Sequence, residues 1–242
     1  MTTAELGLTT EQLSLKLPMV EVFETIEGEG TAAGFPTTFV RLFNCNLRCT
    51  WCDTPYSYAP AQPEYFAAVG DIVAEVGRLG HQRVCLTGGE PLLYTEKVLV
   101  LIEALARLPL IQDVHIETNG AIDLTPFIHL RNEKAQVREK VRFILDYKLP
   151  KSGEQDRMLQ ANYGLLGHQD EIKFVIADDE DFDTACKVVE EWVEKGTVLF
   201  SPVWETMPPQ KLVAAMLEKK LHNVKLNLQL HKIIWDPDMR GV

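Results

Sequence analysis

The chain has 242 residues, 46% of them hydrophobic, with a formal net charge of -11, enough apolar material for one sizeable core and, by default, one domain over residues 1–242. The acidic balance argues against a non-specific nucleic-acid surface or a basic membrane-surface helix, and no apolar run approaches the roughly 20 residues of a membrane span. The opening MTTAELGLTTEQLSLKLP has no basic start leading into an apolar centre, so no secretory leader is expected and a cytoplasmic setting follows, where clustered cysteines suggest metal or catalysis rather than disulfides.

In chain order, residues 1–18 read as an N-terminal extension, with Thr9 and Gln12 at capping-box spacing for a short helix. Strands are expected at VEVFET, TTFVRLF, RVCLTG, DVHIETN, RFILDYK, EIKFVIA, TVLFSPV and VKLNLQLH. Helical spacing joins Val69, Ile72, Val73 and Val76, and again Val98, Leu101, Ile102 and Leu105. Later helices are expected over about 183–195 and 208–220, the second entered through Pro208 and Pro209. Strands separated by single helices imply βαβ crossovers and a helix-covered parallel sheet, either open or curled into a full or partial barrel. Polar and glycine residues gather where strands end, at Thr87-Gly88-Gly89-Glu90-Pro91, Glu117-Thr118-Asn119-Gly120, Asp146-Tyr147-Lys148 and Ser201-Pro202. Parallel α/β folds bind ligands at those carboxyl ends, so four strands converge on one expected site.

The loop at about 43–60 carries Cys45, Cys49 and Cys52 in C-x3-C-x2-C spacing, three of the five cysteines in the chain. A structural zinc site needs a fourth ligand nearby, and the nearest histidine, His81, lies across an expected helix. A disulfide would leave one thiol unpaired. Three thiolates on one loop suit a [4Fe–4S] cluster with one iron left open for a ligand. Cys85, mid-strand, and Cys186, on a helix face, read as small buried hydrophobes.

This spacing, with Trp51 before the third cysteine and TGGEP after a strand, resembles the radical S-adenosylmethionine enzymes. The resemblance implies that the open iron chelates the methionine end of S-adenosylmethionine. Gly88 and Gly89 would let backbone approach that ligand, and Glu90 would offset its ammonium. FETIEGEGTAAGFPTTFVRLFNCNLRCTWCDT, LTGGEPLL, IETNG, EIKFVI and LQLHK together resemble the 7-carboxy-7-deazaguanine synthase family over almost the whole chain. That resemblance implies an α/β fold of the truncated, TIM-like βα-barrel type. It implies a ring contraction of 6-carboxy-5,6,7,8-tetrahydropterin with loss of ammonia, in the queuosine (7-deazapurine) pathway. It also implies Mg2+ dependence, a flavodoxin or ferredoxin as reductant, and a homodimer.

Residue by residue, the resemblance assigns Ile26, Glu27, Gly28, Arg41, Thr87 and the terminal Val242 to the substrate, with Glu29 completing the GEG loop. Glu27 stands where most members carry Gln, exchanging an amide that can donate for a carboxylate that only accepts. Arg41 would pair with the substrate carboxylate. Thr54 would ligate Mg2+, with Asp53 orienting metal-bound water. Gly89, Asp146, Tyr147, Lys148, Ser201, Pro202, Val203 and Trp204 would hold S-adenosylmethionine, partly through backbone, and Glu117 would reach the same cofactor. His231 would line the pterin site or serve as a core histidine, and Lys173 receives no role. Two other readings compete: an activase that makes a glycyl radical on a partner protein, and an electron-transfer or regulatory iron–sulfur protein. Three cysteines rather than four, together with TGGEP, count against the second of these.

Overall fold

The computed structural model describes residues 6–237 and 239–241, and its frame is one nine-stranded sheet. The strands are β1 Lys16–Ile26, β2 Pro36–Leu42, β3 Tyr65–Ala68, β4 Arg83–Gly88, β5 Asp113–Thr118, β6 Val141–Tyr147, β7 Glu171–Ile176, β8 Thr197–Pro202 and β9 Val224–Leu226. Their order is β3-β1-β2-β4-β5-β6-β7-β8-β9. From β2 to β9 every pairing is parallel, while β1 runs antiparallel to both β2 and β3. β3 and β9 do not pair with each other, so the sheet is an open partial barrel of the kind the resemblance implied.

Strand alternation sorts the side chains into two faces. Val84 and Leu86, Val114 and Ile116, Phe143 and Leu145, Ile172 and Phe174, and Val198 and Phe200 lie on the outer face within the main core. They are covered by helices Val69–Leu79, Thr95–Arg107 and Asp179–Trp192, which contribute Val73, Val76, Leu101, Leu105, Phe182 and Val188. Phe200 packs edge-on against both Phe174 and Phe182. The residues between them, including Cys85, Thr87, His115, Glu117, Arg142, Asp146, Glu171 and Lys173, belong to the concave face. Parallel barrels usually fill that face with branched apolar side chains. Here it is polar.

The expected strands and helices form, with informative shifts. Thr9 caps helix Thr10–Ser14 through the reciprocal capping box with Gln12, at 3.1 and 2.9 Å. Leu6 and Leu8 are buried, and β1 begins at Lys16 rather than at Val20, so the extension is built into the core. The helix expected to start near 183 starts at Asp179, because the Asp178 side chain caps it by accepting from the Asp181 N–H at 3.0 Å. The last strand ends at Leu226 instead of running to 231. Asn227 turns inward there, its amide donating to Glu29 Oε1 and Ser201 Oγ, and the chain then forms a short helix at His231–Ile234. Among the described residues, no helix is long and apolar enough to cross a membrane.

Candidate active site

The cysteine loop is held at the carboxyl end of the sheet by polar contacts from three directions. Asn44 takes a left-handed conformation (φ 86°), which Asn tolerates, and its side chain accepts from the Cys45 N–H at 3.0 Å. Asn119, after β5, donates to Asn46 Oδ1 at 2.8 Å and to Cys45 Sγ at 3.7 Å. The Thr50 N–H reaches the Ser152 carbonyl at 3.1 Å. The turn after β4 presses against the loop from below. A Cβ on Gly89 would sit 2.2 Å from the Asn44 carbonyl oxygen and 2.9 Å from Cys45 Cβ, and one on Gly88 (φ 150°) 2.2 Å from the Leu42 carbonyl oxygen. Only glycine permits that approach.

Glu90 behaves differently from the expectation that it faces an ammonium. It is fully buried and accepts from the Leu92 and Asn119 N–H groups and from the Thr118 hydroxyl at 2.7–3.0 Å, tying the β4 turn to the end of β5. Burial pushes its carboxyl up to about 7. Its role in this structure is to brace the turn.

Two adjoining chambers open beneath the loop. The outer, about 550 Å3, is lined by Cys45, Cys49 and Cys52 together with Gly89, Asp146, Lys148, Val203 and Trp204. The inner, about 180 Å3, is lined by Ile26, Glu27, Gly28, Arg41 and His231. Glu29, Asp53, Thr54, Thr87, Glu117 and Lys173 border both. The residues expected at cofactor and at substrate thus separate into neighbouring compartments that share a wall. Three of the expected cofactor residues do not present side chains there. Tyr147 is buried among Tyr163, Phe174 and Trp192, while Ser201 and Pro202 lie inside the sheet, Ser201 accepting from Asn227. Val242 lies outside the described residues.

The shared wall is charged. Lys173 Nζ lies 3.1 Å from Glu117, 3.5 Å from Glu29 and 3.9 Å from Asp146, and Lys148 pairs with Asp146 at 2.8 Å. Burial pushes Glu117 up to about 7 against the opposing pull of Lys173. Lys173 itself is raised well above its ordinary value: burial opposes this, but the surrounding carboxylates outweigh it. In the inner chamber, Arg41 donates through Nε to Glu21 at 2.9 Å and lies over the Phe23 ring, leaving its terminal nitrogens without a partner among the described residues. Burial, the largest influence, lowers His231, which abuts Gly28 so closely that a Cβ there would meet its Nδ1 at 2.5 Å.

The donor set fits an iron–sulfur cluster. All three thiols face one cavity, none is in a disulfide, and burial raises Cys45 and Cys49, the latter to about 11. Thiolates at such a site require a metal's charge. Among the described residues, the one trio of Cys, His or carboxylate ligand atoms found within 4.8 Å of one another is Glu27, Cys85 and His115.

The family model of the radical SAM superfamily matches residues 40–216. A 7-carboxy-7-deazaguanine synthase from Clostridium acetobutylicum is 35% identical over 93% of this chain and 98% of its own length. One from Leptospira interrogans is 34% identical over 95% and 99%. The chain belongs to the 7-carboxy-7-deazaguanine synthase family. The crystal structure of QueE from Escherichia coli shares the fold at a TM-score of 0.66 and 21% identity, covering 91% of this chain and 96% of that one. Streptococcus suis SuiB bound to S-adenosylmethionine is similar at 0.51 and 13% identity, over 77% of this chain and 48% of its own. As radical SAM family members, these proteins use a [4Fe–4S] cluster and S-adenosylmethionine.

Sequence reasoning passed over His115 and left Lys173 without a role, although Lys173 borders both chambers and His115 lies buried against Glu27 behind the inner one. A signal for them was present: Asp113, His115 and Glu117, like Glu171 and Lys173, put charge at every second position of otherwise apolar strands. That alternation marks a polar concave face.

Proposed function

We propose that this protein is a radical SAM lyase that converts 6-carboxy-5,6,7,8-tetrahydropterin to 7-carboxy-7-deazaguanine with loss of ammonia, in 7-deazapurine biosynthesis. The observation that carries this reading is the division of the cleft. Three cysteines and Gly89 border one chamber, and Arg41, whose two terminal nitrogens have no partner among the described residues, borders the next. Cys45, Cys49 and Cys52 hold the cluster, and Gly89, Asp146, Lys148, Val203 and Trp204 border the space for S-adenosylmethionine. Tyr147, Ser201 and Pro202 contribute through backbone. A cluster and cofactor held by these residues would supply one-electron, hydrogen-abstracting radical chemistry.

The chain's own residues supply position. A carbon radical takes almost any hydrogen within reach, so selectivity depends on which C–H is presented to it. Arg41 pairs with the substrate carboxylate, a geometry its guanidinium favours. Ile26, Glu27, Gly28 and Thr87 fix the ring, with His231 closing the side of the chamber beside Gly28. Thr54, with Asp53 next to it, offers hard oxygen donors where the chambers meet, which suits Mg2+ held partly by substrate oxygens. A floored chamber of about 180 Å3 takes a small molecule rather than a polypeptide segment, which disfavours the activase reading. A flavodoxin or ferredoxin would deliver the electron to a cytoplasmic homodimer.

The test is anaerobic reconstitution followed by incubation with S-adenosylmethionine, a reductant and 6-carboxytetrahydropterin. Formation of 7-carboxy-7-deazaguanine and one ammonia supports the assignment. A cluster-loaded protein that cleaves S-adenosylmethionine and ignores the pterin refutes it.

A further inference from the structure

Behind Glu27, on the floor of the inner chamber, lies buried charge centred on His115 that the roles above leave unused. His115 is fully buried and Glu27 is 5% exposed. His115 Nε2 lies 2.6 Å from Glu27 Oε2, and Nδ1 lies 2.9 Å from Asp113 Oδ2. Asp113 is in turn bonded by Arg142 at 2.8 and 3.2 Å, and Arg142 also bonds Glu171. Ionised carboxylates only accept, so a ring with a carboxylate oxygen at each nitrogen carries both protons and a positive charge. The charge balance agrees. Burial opposes charging of His115 but Cys85, Glu27 and Asp113 overcome it, while Glu27 is held below the usual carboxylate range by His115 against the pull of burial.

Cys85 is the register partner of His115 on β4, and the ligand atoms of Glu27, Cys85 and His115 lie within 4.8 Å of one another. A shared metal ion does not account for the trio. Two donors about 2.0–2.1 Å from a tetrahedral ion stand about 3.3 Å apart, whereas 2.6 Å is a hydrogen-bond contact. What the contact fixes is Glu27. Oε2 takes His115 and Oε1 takes the Glu29 N–H at 3.3 Å, which leaves a lone pair on each oxygen at the chamber wall.

We infer that His115 is a positioning residue that holds Glu27 as an ionised acceptor for an N–H of the ligand in the inner chamber. This rests on the reading that the chamber takes a carboxypterin, whose two rings carry N–H donors at their edges. Phe39 pairs with Cys85 across β2 and β4, and Arg41 pairs with Thr87 two residues further along. Arg41 therefore sits one layer, roughly 7 Å, above the Cys85–His115 layer. The anchor for the carboxylate and the acceptor for the N–H thus address different parts of one small molecule, and a ligand lacking the donor would leave the Glu27 lone pairs unsatisfied.

The experiment measures KM for 6-carboxytetrahydropterin and, independently of turnover, the Kd of fluorescent 6-carboxypterin. It compares wild type with His115→Gln, Glu27→Gln and the double variant, with iron content as a control. Each single substitution is expected to weaken both constants about tenfold or more, the usual effect of losing a charge-assisted hydrogen bond. Iron content should stay at the wild-type level. The double variant should be no worse than the weaker single, because one contact is lost in all three. If His115→Gln fails to fold with Glu27 left buried without its cation, the double variant buries no lone charge, and its Kd must match that of Glu27→Gln.

The pH profile separates positioning from mere packing. Asp113, Cys85 and Arg142 face or flank His115, and Lys173 and Glu117 act on Glu27 across the chamber. Glu117 titrates near 7 and feels Glu27, so the diagnostic quantity is the ratio of variant to wild-type Kd in His115→Gln, which keeps Glu27 in place. Without its cation, buried Glu27 takes up a proton, so in His115→Gln this ratio should fall as pH rises. Unchanged Kd values, additive losses, or a pH-independent ratio would overturn the inference. Stoichiometric Zn2+ uptake by the cluster-loaded protein, abolished by His115→Gln, would overturn it in favour of a metal site. Normal turnover of the carboxypterin with unaffected variants removes this inference alone, whereas a wild type inert toward the carboxypterin removes the functional reading as well.

Discussion

Replacing Lys173 with Met removes a cation that touches Glu29, Glu117 and Asp146 while keeping an unbranched side chain of similar length. Breaking a buried ion pair by removing one partner costs about 3–5 kcal/mol, but here the cost should depend on pH in a way that identifies the pair. In the wild type, Glu117 titrates at about 7, raised by burial and restrained by Lys173 3.1 Å away. Without that restraint its pKa moves higher, so the folded variant keeps the proton through the range in which the folded wild type has released it. The unfolded chains have lost it in both cases, since an ordinary Glu titrates near ~4.3. Above pH 7 the folded variant therefore binds one proton more than its unfolded state, and its stability falls by about 1.4 kcal/mol per pH unit. Glu90 also titrates near 7, but it does so in both proteins and cancels. Between about pH 7 and about pH 8.5, the stability gap between wild type and variant should widen by up to about 1.6 kcal/mol, since the half-protonated wild-type Glu117 loses about 0.4 kcal/mol over the same range. Urea unfolding of the cluster-free proteins at the two pH values, followed by circular dichroism, measures it. A gap that stays constant refutes the coupling of Lys173 to Glu117.

The remaining predictions concern the metal sites and the substrate anchor. Cys45→Ala, Cys49→Ala and Cys52→Ala should each abolish the visible absorption of the reconstituted cluster, while Cys85→Ala and Cys186→Ala retain it; a full cluster in any of the first three sinks the ligand assignment. Thr54→Ala should weaken the dependence of turnover on Mg2+ with iron content unchanged, and an identical Mg2+ titration removes Thr54 as a ligand. Arg41→Ala should weaken carboxypterin binding at least about tenfold, corresponding to roughly 1.5–3 kcal/mol for a charge-assisted anchor. It should also raise cofactor cleavage relative to product, and equal affinity would show that the carboxylate is held elsewhere. Carboxypterin deuterated at C6 should pass its label to 5′-deoxyadenosine, and turnover without transfer moves the reacting hydrogen to another carbon.

The sheet was legible because outer-face residues such as Val114, Ile116, Phe143 and Leu145 are apolar, β-rich and evenly spaced. The helices were legible where an apolar stripe repeats, as at Val69, Ile72, Val73 and Val76. Elements that lack such a stripe escaped. β3 is four residues long, with Tyr65 and Phe66 exposed at the sheet edge. Helices Thr125–Glu133 and Ala135–Lys140 are short and separated at Lys134, with too few turns for an apolar stripe to repeat. The run after Leu226 alternates like a strand, yet Asn227 spends its amide on Glu29 and Ser201, a contact between residues 198 and 26 positions apart that no local pattern encodes. The cysteine spacing and the glycine pair named the cofactor chamber directly, because cluster geometry and close backbone approach leave few alternatives in residue type. The inner chamber was less legible. Its residues come from the β1–β2 loop, β2, β4, β5, β7 and the C-terminal segment, and their meeting is a property of the curl of the sheet.

The curl also explains how the chain tolerates a charged interior. A closed barrel with His115, Arg142, Glu171 and Lys173 on its inner face would have to satisfy them all from within. Here the sheet stays open between β3 and β9, and the GEG loop enters the concavity. Gly30 (φ 73°) lies so close to Glu171 that a Cβ would meet Oε2 at 2.6 Å, its N–H donates to Asn227 at 2.7 Å, and the Thr31 N–H donates to Glu171 at 3.0 Å. Each of these bonds satisfies a buried polar group and at the same time fixes Glu27 and Glu29, which the same loop carries into the chamber. Removing the loop contacts would therefore cost stability and substrate geometry together. The apolar outer face, roofed by helices, bears the stability that the inner face gives up, and this leaves the concave side free to be built for a ligand rather than for packing.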